Sequence, residues 1–244
     1  MLRPRIIPCL LLSGSALVKT VRFTDPMYIG DPVNTVHIFN EENVDELIVL
    51  DITQGDAAKP QLEILDQLAG ECFMPLTVGG NIKTMDDIAA ILALGIEKVS
   101  LNTACITSPS LLTQAAEKFG NQSIVASMDV RSVHGTWEVF LDHGRVATGI
   151  DAVTHAKEME RLGAGELLIT SIDRDGTMEG YDLRFIQAIS NTVDIPIIAC
   201  GGAKDTADLS AAVRAGASAS AAGSLFLYQG KGRGVLVHFP PFHS

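Results

Sequence analysis

One pattern occurs twice in this chain, and the repetition limits its fold more than any other feature. A short apolar run, a glycine pair, an amphipathic stretch and a second small-residue turn fall at 74–103 (MPLTVGGN to LGIEKVSLNT) and again at 195–224 (IPIIACGG to AGASASAAGS). Gly80 and Gly202 are 122 residues apart, half of the 244-residue length. Two further matches share that spacing closely: VDELIVL at 44–50 with AGELLIT at 164–170, and IIPCLL at 6–11 with IVASMD at 124–129. Backbone N–H groups where a strand hands over to a helix are unpaired and point outward, so each glycine turn suits a phosphate. Two similar halves have room for two phosphates on one face.

Apolar runs alternate with amphipathic stretches along the whole chain. Strands are expected at 5–11, 46–50, 76–79, 98–101, 123–129, 166–171, 195–200 and 217–222. Helices are expected at 31–43, 60–69, 84–94, 109–119, 151–162, 183–191 and 206–215, the first capped by Asp31 with Pro32 in its first turn. Continuous apolar strands suit a parallel sheet covered on both faces. An open doubly wound sheet shares this alternation, but matching halves of four units each close naturally into a single (βα)8 TIM barrel spanning 1–244, and such barrels typically take about 250 residues. Residues 133–147 alternate in polarity and read as an inserted hairpin. The tail at 230–244 is glycine-broken and predicts an irregular closure. The long first loop, 13–30, has the length of a mobile lid.

Composition narrows the function classes. Hydrophobic residues make up 47% and charged residues 19%, which suits a filled core and argues against disorder. A net charge of −11 disfavours nucleic acid as a partner, while backbone donors still allow a small anionic substrate. The apolar run near the N-terminus is too short for a membrane span and lacks a cleavage site, so a cytoplasmic location is expected. Cys9, Cys72, Cys105 and Cys200 lack zinc-ligand spacing; free thiols and no metal or cofactor are expected.

In such barrels the chemistry sits at the C-terminal ends of the strands. Asp51, Asn102, Asp129, Asp173 and Asp175 fall there. Asp129 ends the fifth strand and serves either as a general acid or base or as a turn cap. Asp173 and Asp175 either orient a substrate hydroxyl or hold their turn. Lys19, in the first loop, reads by default as solvated. Leu11 occupies in the first half the place that Asp129 occupies in the second, and leucine has no proton to transfer. At the opposite end, Arg5, Glu46, Lys98 and Glu166 start strands one, two, four and six. Facing inward they form a ring of two cations and two anions on the barrel floor; facing outward they are a surface network of little consequence.

These residues resemble the HisF family, the cyclase subunit of imidazole glycerol phosphate synthase, from about residue 3 to Gly230. The carrying motifs are RIIPCL, GDPV, DELIVLDI, VGGNIKT, EKVSLNT, FGNQSIVASMD, GAGELLITSIDRDGT, GYD and IPIIACGGA. The resemblance implies a (βα)8 barrel that receives ammonia through its floor from a HisH-type glutaminase, with Arg5, Glu46, Lys98 and Glu166 as the gate. It implies catalytic roles for Asp129 and Lys19. It also implies a phosphorylated substrate held by Gly80, Asn102 and Thr103 at one end and by Asp175, Gly176, Gly202, Gly223 and Ser224 at the other. The family's first catalytic aspartate falls on Leu11, Asn81 replaces a third glycine, and SGSA stands where the family reads close to DGR. The PCLLL, VKTVRF and YIGDPVN segments are similar to HisF-like paralogues of surface-polysaccharide gene clusters. That likeness implies ammonia delivery for amidination of a sugar, together with a third, amidotransferase protein. The alternatives are a working cyclase of histidine synthesis and a non-catalytic scaffold that activates a glutaminase.

Overall fold

The computed structural model describes residues 4–55, 59–229 and 234–240. In chain order the elements are β1 (Arg5–Ser13), β2 (Ala16–Val21), β3 (Thr24–Gly30), α1 (Pro32–Glu41), β4 (Leu47–Asp51), α2 (Leu62–Glu71), β5 (Leu76–Gly79), α3 (Met85–Ala93), β6 (Lys98–Leu101), α4 (Thr103–Thr107) and α5 (Ser110–Phe119). The second half contains β7 (Ile124–Val133), β8 (Thr136–Leu141), β9 (Val146–Asp151), α6 (Ala152–Arg161), β10 (Glu166–Ser171), α7 (Leu183–Ser190), β11 (Ile197–Cys200), α8 (Thr206–Arg214), β12 (Ala219–Ala222), α9 (Ser224–Leu227), β13 (Tyr228–Gln229) and β14 (Gly234–Val235).

Eight strands pair in parallel in the order β1, β4, β5, β6, β7, β10, β11, β12, and β12 returns to β1. The sheet is a closed (βα)8 barrel. Helix starts follow from local chemistry. The Asp31 carboxylate accepts from the Asn34 N–H ahead of Pro32, and Thr84 with Asp87 forms a reciprocal capping box on α3. Asp151, Asp182 and Asp205 cap α6, α7 and α8 in the same way.

Strand alternation divides the core into two layers. Ile6, Leu10 and Leu12 of β1 pack outward with Val36, Phe39 and Leu68 under the helices. Ile7 and Cys9 point inward and meet Ile48, Val125, Leu168, Ile198, Ala219 and Ala221 on the axis. Each fully buried Ile or Leu contributes roughly 1.5–3 kcal/mol.

Three elements differ from expectation. The first loop is no lid: β2 and β3 form a hairpin that extends β1, with Leu11 opposite Val18. The central residues of β2, Leu17 to Thr20, are all buried, so this ribbon is covered on both faces and packs onto the barrel. In the second half β7 runs on to Val133 and pairs with β8, which pairs with β9. The two excursions therefore match across the repeat. Short helices α4 and α9, which carry too few apolar positions for a periodic signal, follow β6 and β12 and also match. Of the tail, residues 230–233 and 241–244 lie outside the described residues, and β13 pairs with β14.

Candidate functional site

The floor is a closed circuit of opposite charges. Arg5 Nη1 donates to Glu46 Oε2 at 2.6 Å, and its Nη2 reaches Glu166 Oε1. Lys98 Nζ donates to Glu46 Oε1 at 2.9 Å and to Glu166 Oε2 at 3.0 Å. Thr77 Oγ1 adds a donor to Glu46 at 3.0 Å. Both glutamates are buried, so each carboxylate is neutralised by two cations, as burial demands. The four residues lie at strand starts up to 161 positions apart, yet they meet because parallel register brings strand starts to one level. Directly above them lies the apolar axis of Ile7, Ile48, Val125, Leu168 and Ile198.

At the other end the axis opens into a cavity of about 790 Å³. Its inner wall carries Cys9, Leu11, Leu50, Ser100, Ser127, Asp129, Thr170, Asp175 and Cys200. Asp129 Oδ2 accepts from Asn102 Nδ2 at 2.7 Å. Asp129 is only partly exposed, and what it faces is the cavity rather than open solvent. Burial pushes its carboxyl up to about 7, and the Asp175 charge adds to this; the Asn102 and Thr170 hydrogen bonds pull the other way. A carboxyl poised there exchanges a proton near neutral pH. Asn102, expected among the phosphate ligands, instead gives its amide to Asp129. Leu11 lines the same cavity with a side chain that holds no proton. The Cys9 thiol is held well above its ordinary range by its neighbour Cys200 and by burial, and all four cysteines are free.

Lys19 is not solvated. It is 4% exposed, and its Nζ lies 3.0 Å from both Asp175 oxygens and 2.9 Å from the Thr20 carbonyl. Placing it on β2 turns it inward across the cavity mouth, a consequence of the hairpin that a loop reading misses. Thr20 Oγ1 also donates to Asp175, at 3.2 Å. Asp173 stays near the surface, where it accepts from the Ser132 N–H at 2.9 Å.

The glycine turns flank this cavity. Asp175, Gly176, Gly202, Gly223 and Ser224 surround a recess that shares Asp175 and Gly223 with the main cavity. Gly202 has φ 111°, and a Cβ there would lie 2.3 Å from the Gly180 carbonyl oxygen, so no side chain fits. The Ser224 hydroxyl is buried and has no hydrogen-bond partner among the described residues. Gly80, Asn81, Asn102 and Thr103 line the opposite wall. The spacing argument paired Gly80 with Gly202; strand ends pair it with Gly201, because β5 and β11 stop at Gly79 and Cys200.

Residues that sequence reasoning missed sit at the mouth. Phe23 from the β2–β3 turn and His143 and Arg145 from the β8–β9 turn line it. Both turns hold non-glycine residues at positive φ, Arg22 and Phe23 in one, Asp142 and His143 in the other. The Arg22 N–H donates to the Asp175 carbonyl at 2.9 Å, which ties the first hairpin to the loop after β10. Burial lowers the His143 imidazole, against the neighbouring Asp142 carboxylate, and so favours its neutral form.

Comparison with known proteins agrees over nearly the whole chain. The family described as "Histidine biosynthesis protein" matches residues 5–233. A Pseudomonas aeruginosa protein provisionally named imidazole glycerol phosphate synthase subunit hisF2 is 47% identical over 248 residues, covering 98% of this chain and 97% of the relative. A Leptospira interrogans protein provisionally named as the HisF subunit is 42% identical, covering 98% and 96%. The Hyphomonas neptunium imidazole glycerol phosphate synthase subunit HisF is 45% identical, covering 93% and 90%.

Proposed function

The chain belongs to the HisF family of histidine biosynthesis proteins, and from that premise we propose that it is the ammonia-receiving barrel of a glutamine-dependent amidotransferase. Its partner is a HisH-type glutaminase docked on the floor. The observation that carries the reading is the closed ring of Arg5, Glu46, Lys98 and Glu166 beneath an apolar axis that leads to Asp129. An apolar passage admits neutral ammonia and rejects ammonium, because an unpaired buried charge costs several kcal/mol or more. The ring closes that passage to water until a partner rearranges it.

At the upper end Asp129 handles the proton of the arriving nucleophile or of the group it attacks. Lys19 and Asp175 hold the wall of the site, and the glycine recess with Ser224 binds the phosphate of a small substrate. Leu11 supports a task other than the family's cyclisation, since only one of the two opposed carboxyl groups is present. Amidination of a surface-polysaccharide sugar with a third protein fits that loss. The cyclase reading retains support from the intact Asp129–Asn102 pair and from the names of the relatives.

The test separates two nitrogen sources in the complex with its glutaminase. Lys98→Met opens the ring and lowers glutamine-driven amination at least about tenfold, an effect of about 1.4 kcal/mol. Amination driven by added ammonium stays unchanged, because that route bypasses the floor. Equal losses with both nitrogen sources, or none with either, would remove the proposal.

A further inference from the structure

Inward side chains of such a barrel stack in layers of four, drawn from alternate strands. Strand tilt advances a layer by two residues over each pair of strands, and that step joins Glu46, Lys98 and Glu166, which meet on the floor. The same step through the register joins Cys9, Gly79, Ser127 and Cys200 in one layer. Cys9 and Cys200 belong both to the buried axial cluster and to the cavity wall, so they stand where the axis opens.

The two thiols are neighbours in that layer, and little stands between them. The strand that separates β11 from β1 is β12, and it turns only Ala221 and Gly223 towards the axis there. The Cys200 thiol is the first cause that holds the Cys9 thiol above its ordinary range, so the two sulfurs face each other. Cys72 and Cys105 instead give their thiols to the carbonyls of Met74 and Leu101. Two strands of separation set the Cα atoms of Cys9 and Cys200 roughly 10 Å apart. A disulfide spans at most about 7 Å, so oxidation to a disulfide is closed to this pair. Bonds of about 2.3 Å from each sulfur to one shared ion bridge the gap.

We infer that Cys9 and Cys200 form a two-coordinate site for a soft monovalent cation of the copper(I) class, reached through the cavity. Thiolates select such ions. Structural zinc takes four donors, and among the described residues no cluster of three or more His, Cys, Asp or Glu is present to supply them. Binding breaks both S–H bonds, forms two S–Cu bonds and releases two protons to solvent, while copper stays monovalent. The single negative charge left on the bis-thiolate faces the Lys19 side chain, whose Cε lies 3.0 Å from where a Cβ on Gly223 would stand. Asp175, paired with the same ammonium, opposes that attraction, so the affinity comes from sulfur rather than from charge. No part of this site depends on the route of ammonia.

Anaerobic titration of the full chain with copper(I), in competition with the chelator bicinchoninate, reads the site directly. One equivalent binds. Cys9→Ser and Cys200→Ser, both close in size to the native residue, each raise its Kd at least about hundredfold. Cys72→Ser and Cys105→Ser leave it unchanged. Copper-edge X-ray absorption of the loaded chain shows two sulfur neighbours and no nitrogen. Failure to bind copper(I), or unchanged affinity in Cys200→Ser, would overturn the inference. So would a nitrogen ligand, or a Cys9–Cys200 disulfide formed when the copper-free chain is oxidised with diamide.

Discussion

Leu11→Asp raises ammonium-driven cyclisation of a phosphoribulosyl-formimino-carboxamide ribotide by about 10²–10⁴-fold, the usual contribution of one positioned acid or base. Leu11 lines the cavity that holds Asp129 and is only partly buried, so a carboxylate is accommodated without emptying the core. The repeat places the two positions at matching points on β1 and β7, and the new group faces the site from the opposite side. Steady-state turnover with saturating ammonium checks it. A rate that stays at the level of the unmodified chain would mean that more than one carboxyl group separates this barrel from a cyclase.

Asp129→Asn has the next largest effect, and it moves activity and stability in opposite directions. Amination with either nitrogen source falls by about 10²-fold or more. Stability rises, by an amount that grows from about pH 4 and reaches its full size at about pH 7. The folded-state carboxyl lies at about 7 while the unfolded one lies near 3.8, so the unfolded chain ionises first as pH increases. The native state therefore loses stability from about pH 4 to about pH 7, by at most about 4 kcal/mol for three units. Asparagine cannot ionise, so the variant matches the unmodified chain below pH 4 and exceeds it above pH 7 in urea unfolding. A variant that loses stability at pH 8 would show that Asp129 is held for structure. Stability gained where activity is lost marks a group kept for its chemistry.

Much of the frame is legible in the residues because the barrel strands are apolar on both faces and start with recognisable charges. Arg5, Glu46, Lys98 and Glu166 could be placed at strand starts, and parallel register then obliges them to share a level. The limits of β5, β6 and β10 fall where the apolar runs end. The upper site was harder to read. Lys19 is charged and follows a glycine-containing turn, so its burial depends on the β2–β3 ribbon folding back over the cavity and on Asp175, 156 residues away, accepting its protons. Asn102 lies at a strand end in either reading; only packing decides that its amide serves Asp129. The one-residue offset between Gly80 and Gly202 arises because the halves are not of equal length throughout, and strand ends rather than glycine spacing define the equivalence. The mouth residues Phe23, His143 and Arg145 belong to hairpin tips whose aim no local pattern encodes.

The central claim concerns the route of a nitrogen atom, and isotope competition tests it most directly. The full complex is supplied with glutamine labelled with 15N at the amide, together with an excess of unlabelled ammonium in the buffer, and the label in the aminated product is read by mass spectrometry. Passage along the axis predicts a product enriched in 15N far beyond its share of the total ammonia, with the enrichment abolished in Lys98→Met. A product whose label matches the bulk ammonia would show that the nitrogen arrives through solvent, and the account of the charged floor as an inlet would be wrong.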